Sequence, residues 1–104
     1  MIFEINKKQA GMDQDVFYKV QYLLQFSLSR YEGTVSQVRV YFFNVKGPNR
    51  GEDKRCRVSV KMRTAGQVLV SSEGSNFVEA LNNCLGRLVR EIRRKIDKQR
   101  TKLI

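Results

Sequence analysis

The nine residues from Arg55 to Arg63, RCRVSVKMR, alternate strictly between polar and apolar side chains. Because successive side chains of a β-strand point to opposite faces, this pattern predicts a strand with one apolar and one basic face. The apolar face carries Cys56, Val58, Val60 and Met62, and the polar face carries Arg55, Arg57, Ser59, Lys61 and Arg63. A chain containing such a strand must cover the apolar face with a second layer.

Three further segments are predicted as strands. MIFEIN at residues 1–6 is short, and TVSQVRVYFFNV at residues 34–45 alternates as RCRVSVKMR does. QVLVSS at residues 67–72 follows a turn at Ala65-Gly66. The alternation supports a sheet of four strands.

Two helices are predicted. The first begins after Asp13 as its N-cap and ends before Gly33, with apolar residues at helical spacing: Phe17, Val20, Leu24, Leu28 and Tyr31. The second begins after Asn76, with Glu79 three residues later as in a capping box, and runs to about residue 100. Its apolar stripe is Phe77, Leu81, Cys84, Leu85, Leu88, Ile92 and Ile96.

The resulting order, β-α-β-β-β-α, predicts an α+β fold. A right-handed crossover makes the first two strands parallel, and hairpins make the remaining pairs antiparallel. The economical arrangement is a two-layer sandwich with both helices on the apolar face of a four-stranded mixed sheet. Residues 1–104 are expected to form a single domain, with the basic end of the last helix at about 87–104.

Composition argues against several classes of function. The chain contains no histidine, and its two cysteines, Cys56 and Cys84, fall in apolar patterns that suit reduced core residues. We therefore expect no catalytic residue, no metal, no cofactor and no small-molecule substrate. No stretch is long and apolar enough for a membrane span, and the first residues lack a signal-peptide pattern, so a cytoplasmic protein without membrane association is expected.

Positive charge is concentrated in two segments. The net charge is +10. Residues 46–63 carry seven basic and two acidic side chains, and residues 87–102 carry eight basic and two acidic ones. Clustered positive charge attracts polyanions over long distances, which indicates a nucleic-acid partner.

Two surfaces are candidates for that contact. On the last helix, one stripe is formed by Arg87, Arg90, Arg94 and Lys98. On the outer face of the sheet, Arg57, Lys61 and Arg63 neighbour Arg39, Tyr41 and Phe43, and Tyr41 is a candidate for stacking on an exposed base. The alternative for each surface is that its charged residues are only solvated and bind no partner. A further alternative for the sheet face is that another part of the chain covers the aromatic side chains.

The stretch NVKGPNRGEDKRC carries a family resemblance. Gly47 and Pro48, followed by Gly51 and then Asp53-Lys54-Arg55-Cys56, look like the GPxGGxDKRC hairpin of the short ribosome-associated hibernation-promoting factor and inhibitor A family, also called sigma-modulation proteins. Arg50 stands where relatives more often have glycine, and Asn44 where an acidic residue is common. The order of elements and the leucine- and arginine-rich last helix extend the resemblance over essentially the whole chain.

The resemblance implies a specific function. Such proteins bind the small ribosomal subunit in the messenger and transfer RNA channel and silence idle ribosomes during stress or stationary phase. The distribution of charge agrees with this function, and the residues expected to neutralise ribosomal RNA phosphates are Lys54, Arg55, Arg57, Lys61, Arg63, Arg87, Arg90, Arg94 and Lys98. The chain is expected to be a monomer off the ribosome. Because it stops at Ile104, pairing of ribosomes through a second domain is not expected.

Two alternatives remain open from the residues. The β-β-β-α part looks like a double-stranded-RNA-binding domain, which would make the chain a general RNA module. Against this, the last helix opens with NFVEALNN rather than a lysine-rich motif. The other alternative is a protein-binding regulator of transcription, as the sigma-modulation label suggests.

Overall fold

The computed structural model describes residues 1–7, 11–46, 52–64 and 66–102. Its elements are β1 (Ile2–Asn6), α1 (Gln14–Leu28), a single 3₁₀ turn (Ser29–Tyr31), β2 (Val35–Lys46), β3 (Glu52–Met62), β4 (Gln67–Gly74) and α2 (Phe77–Lys102). This is the predicted order. The glycine- and proline-containing part of the predicted hairpin, residues 47–51, lies outside the described residues, as does Ala65.

The four strands form one mixed sheet in the order β1-β2-β3-β4. β1 runs parallel to β2, and the β2-β3 and β3-β4 pairs are antiparallel. The register places apolar residues in rows that cross the sheet, for example Ile5, Val40, Val58 and Val70. The predicted α+β fold is therefore confirmed, with β1 and β4 as the two edge strands.

Both helices contribute to one hydrophobic core on that apolar face. Val20, Leu24 and Leu28 of α1 are fully buried, as are Leu81, Leu88 and Ile92 of α2. Among the described residues Phe42 is the largest fully buried side chain, and its ring meets Phe77 edge to face with centroids 5.5 Å apart. This leaves the opposite face of the sheet uncovered by either helix, which is what makes it available as a site.

Side-chain caps fix where the two helices begin. Asp13 Oδ1 accepts the Val16 N–H at 2.9 Å, and Asn76 Oδ1 accepts the Glu79 N–H at 2.9 Å, as the sequence predicts. The Glu79 carboxylate accepts the hydroxyl of Ser75 at 2.7 Å. Each cap satisfies a backbone donor that the first helical turn would otherwise leave without a partner.

β4 is longer than the alternation of its sequence predicts. The pattern ends at residue 72, but Glu73 and Gly74 continue the pairing with Arg55 and Lys54. The strand can continue to Gly74 because a glycine fits there. A Cβ at this position would lie 2.6 Å from the Ala80 backbone nitrogen.

Cys56 and Cys84 are free and buried, as predicted. The Cys84 thiol donates to the Cys56 carbonyl at 2.9 Å and so joins α2 to the middle of β3. The hydrogen bond with Cys84, together with burial, raises the pKa of the Cys56 thiol. A neutral, fully buried thiol is a packing residue and a poor nucleophile.

Candidate nucleic-acid interface

The outer face of the sheet carries a basic cluster near the β3–β4 turn. Arg39, Lys61 and Arg63 line one groove together with Gln37, Ser59, Thr64 and Gln67. Lys61 and Arg63 are exposed, and neither forms an ion pair with a carboxylate among the described residues. The groove therefore offers cations that a polyanion can reach.

Aromatic side chains lie beside this cluster, as predicted. The Arg57 guanidinium carbon lies 5.6 Å from the centre of the Phe43 ring, within the range of a cation–π contact. Tyr41 is half-buried and lies opposite Arg57 on β3 and Asn6 on β1. The position of Tyr41 on the open face is compatible with base stacking, and its role remains a prediction.

Two basic residues of the sheet face are paired with acids. Arg55 Nη2 lies 2.6 Å from Glu73 Oε1, and Arg39 Nε lies 3.1 Å from Glu4 Oε2. All four side chains are well exposed to water, so these ion pairs contribute little to stability. They do lower the net positive charge that Arg55 and Arg39 present to a ligand.

Lys54 does not join Arg55 on the outer face. Its ammonium group lies 5.0 Å from the centre of the Phe77 ring, at the start of α2, and donates to Asn44 Oδ1. Consecutive residues of a strand point to opposite faces of the sheet, so Lys54 and Arg55 cannot both contact a ligand bound on the outer face. The sequence prediction grouped them because they are adjacent in the hairpin motif.

The basic stripe of α2 lies beside the edge strand β4. Arg87, Arg90 and Arg94 line a groove with Lys95 and the β4 residues 67–71. Arg87 Nη1 donates to the Ser71 carbonyl at 2.9 Å, which fixes its guanidinium at the strand edge. Arg94 pairs with Glu91 at 3.3 Å, whereas Arg90 forms no ion pair with any described carboxylate. Exposed Lys98 lies one turn further along α2, outside the lining of this groove.

The two candidate surfaces meet at β4. Arg55 from the sheet face and Arg87 from α2 line a single depression, together with Ser71, Ser72, Glu73 and Asn83. Gln67 lines both the groove on the sheet face and the groove beside α2. The sheet face and the α2 stripe therefore form one continuous basic surface around the β4 edge, which we call the β4-edge surface.

Sequence analysis missed the residues that join the two surfaces. Ser71 and Gln67 carry no charge, and only the placement of β4 at the sheet edge makes them part of the surface. Lys95 also lines the groove, although it lies off the predicted stripe. Its membership of the basic segment 87–102 was the only signal that pointed to it.

The chemistry of this surface is that of cations and hydrogen-bond donors. The described residues contain no cluster of side chains able to hold a metal ion. Among the same residues, no helix has the length and apolar character needed to cross a membrane. Guanidinium groups bind phosphate oxygens through two parallel N–H donors, so the arrangement suits a phosphate backbone.

Comparison with known proteins supports the fold. No family model and no curated protein matches this sequence. Among solved structures, the chain is similar to the crystal structure of the N-terminal domain of Thermus thermophilus Protein Y, with a TM-score of 0.66. The match covers 89% of this chain and 93% of that domain, at 17% sequence identity. It agrees with the family resemblance of the sequence at the level of the fold.

Proposed function

We propose that this chain is a ribosome-associated translation inhibitor of the hibernation type, acting in the cytoplasm. It binds ribosomal RNA of the small subunit and sterically blocks the messenger and transfer RNA channel. The observation that carries the proposal is the continuous β4-edge surface, on which Arg87, Arg90 and Arg94 lie beside the basic sheet face. The hairpin motif and the fold shared with the Protein Y domain support the same family.

The proposed mechanism is occupation without turnover. Lysine and arginine side chains neutralise phosphates and release counterions, so affinity arises mainly from electrostatics and falls steeply with salt. Because the β4-edge surface extends from the sheet face around β4 to α2, it can contact phosphates on two sides of the domain. This suits a channel formed by folded RNA better than one straight duplex. The protein is proposed to be a monomer before it binds.

Co-sedimentation with purified small ribosomal subunits tests the proposal. The assay is run at roughly physiological salt, where the screening length is about 8 Å, with excess free duplex RNA as competitor. Stoichiometric pelleting that resists the competitor supports a defined ribosomal site. Loss of the protein to the competitor would leave a general RNA-binding module, and pelleting that survives high salt and nuclease would indicate a protein partner.

Two triple variants test the site. R87E/R90E/R94E is expected to abolish pelleting, because it replaces three phosphate-binding charges by repulsive ones. R87K/R90K/R94K keeps the charge and removes only the planar guanidinium groups that donate two parallel N–H bonds, so it should retain most of the binding. Circular dichroism and thermal unfolding of both variants establish that they fold. Unchanged pelleting of the folded glutamate variant would refute the site assignment.

A further inference from the structure

Helix α1 carries a row of exposed aromatic side chains that the β4-edge surface does not use. Tyr18, Tyr22 and Phe26 are 57%, 64% and 71% exposed. They recur at intervals of four residues, so they lie on one side of the helix. This side points away from the core, which α1 contacts through Val20 and Leu24. Three neighbouring exposed aromatics on one helix are unusual enough to mark an interaction site.

The geometry of the row suits flat, stacked ligands. The rings of Tyr22 and Phe26 are nearly parallel, with an interplanar angle of 17° and centroids 5.9 Å apart. Four residues advance an α-helix by about 6 Å, so ring positions repeat at about that distance along α1. The Tyr18 hydroxyl accepts a hydrogen bond from Gln14 Nε2 at 2.8 Å, which restrains the first ring.

Cations flank the row. Lys19 of α1 and Arg30 of the 3₁₀ turn after it are both exposed. Helical spacing places both residues on the same side of the aromatic row. At the other end, the Lys7 ammonium lies 4.0 Å from the centre of the Phe17 ring, whose centroid is 6.3 Å from that of Tyr18. Asp15 is an acid in the first turn of α1, where it interacts favourably with the helix dipole, and exposed Glu32 is an acid near Arg30.

We propose that the Tyr18–Tyr22–Phe26 row is a second RNA contact, on which unpaired bases stack while Lys7, Lys19 and Arg30 contact the phosphates. Stacked aromatics beside a line of cations are the general arrangement for binding single strands without sequence readout. Charge decides against a second copy of this chain, because each copy carries a net charge of +10. The proposal goes beyond the proposed function, since it names a different surface and a different form of RNA.

Binding of a short oligouridylate tests this proposal without ribosomes. Affinity is measured by fluorescence anisotropy on R87E/R90E/R94E, in which the α2 part of the β4-edge surface is reversed in charge. On that background, Y18A/Y22A/F26A should weaken binding by about tenfold or more, since it removes every ring on which a base can stack in the row. The slope of log affinity against log salt should stay the same, because no charge is removed. A matched K19A/R30A variant should reduce that slope.

Ultraviolet crosslinking provides a readout that affinity alone does not. Crosslinked uridylate should map to the peptide that contains Tyr18, Tyr22 and Phe26. Unchanged affinity of the alanine variant, or crosslinks confined to β2 and β3, would overturn the proposal. So would sedimentation velocity showing a dimer that Y18A/Y22A/F26A abolishes, because a second copy would then occupy the row. Each of these outcomes is independent of whether the chain binds ribosomes.

Discussion

The guanidinium of Arg55 on β3 holds the carboxylate of Glu73 on β4, with Nη2 at 2.6 Å and Nε at 3.2 Å from the same oxygen. The pair spans two neighbouring strands on the outer face, and both residues line the depression that Arg87 also lines. Glu73 is therefore an acid placed within a basic surface. It limits how strongly Arg55 can attract a phosphate.

Replacing Glu73 by glutamine should strengthen RNA binding. The variant E73Q keeps the shape of the side chain and removes a negative charge, so we expect affinity for small subunits to rise several-fold at low salt. Stability should change by less than about 1 kcal/mol, because the pair is exposed. Titration of labelled protein with subunits measures the affinity. A matched loss of charge at Glu32, an exposed residue after α1 that lines no part of the β4-edge surface, should raise the affinity by less.

The fold was predictable because its signals are local. Alternation in residues 55–63 and helical spacing after Asn76 are each visible within a few residues, and burial then fixes which faces meet. The joined basic surface was not predictable in the same way. It depends on β4 forming the sheet edge and on Arg87 reaching the Ser71 carbonyl, and both are tertiary relationships.

The exposed aromatic row shows a second limit of the sequence. Helical spacing identifies the buried residues Val20, Leu24, Leu28 and Tyr31, whereas Phe17 of the predicted stripe is only half-buried and lies outside the core. The same spacing gives no reason to look at Tyr18, Tyr22 and Phe26 on the other side. Their exposure follows from the absence of a second layer over α1 among the described residues. A pattern of apolar residues thus predicts a core more readily than an uncovered surface.

Gly74 at the end of β4 and Gly86 within α2 should respond oppositely to alanine. At Gly74 a Cβ would lie 2.6 Å from the Ala80 nitrogen and 3.0 Å from the Glu79 carbonyl carbon, both of them backbone atoms at the start of α2. G74A should therefore destabilise the fold by about 1–3 kcal/mol, a typical cost of overpacking. Urea unfolding measures the change.

Gly86 supplies the control for that experiment. It lies within α2, and a Cβ there would meet nothing within 4 Å. G86A should stabilise the protein by about 0.5–1 kcal/mol, since alanine is the better helix former. Equal effects of the two substitutions would contradict the close approach of β4 to the start of α2.

Two arginines on α2 separate RNA binding from stability. Arg90 lines the groove beside β4 and has no ion-pair partner among the described carboxylates, so R90A should weaken RNA binding and reduce the salt slope by about 0.7–0.9. Arg93 instead donates to the Tyr31 hydroxyl at 3.2 Å, which ties α2 to the turn after α1. R93A should lower the unfolding temperature by more than R90A does. It should change the salt dependence of RNA binding by less than R90A does. A reversed pattern would show that the groove is not the RNA contact.

The two cysteines should be unreactive in the folded protein. Cys56 and Cys84 are both fully buried, so a thiol-specific disulfide reagent should label neither at neutral pH until denaturant is added. S71C, with a thiol on exposed β4, is the positive control and should react at once. Rapid labelling of the unmodified chain in native buffer would mean that α2 separates from β3 readily.

The raised pKa of Cys56 predicts a loss of stability in alkaline solution. In the unfolded chain this thiol ionises near its ordinary value of 9.0, whereas in the fold the hydrogen bond with Cys84 and burial keep it neutral to higher pH. The unfolded state then binds fewer protons, so this group should lower the free energy of unfolding as the pH rises above roughly pH 9. Its contribution is fully present below that pH. Urea unfolding between neutral pH and pH values above 9 should show a shallower decline for C56A than for the unmodified chain, and parallel declines would contradict the buried neutral thiol.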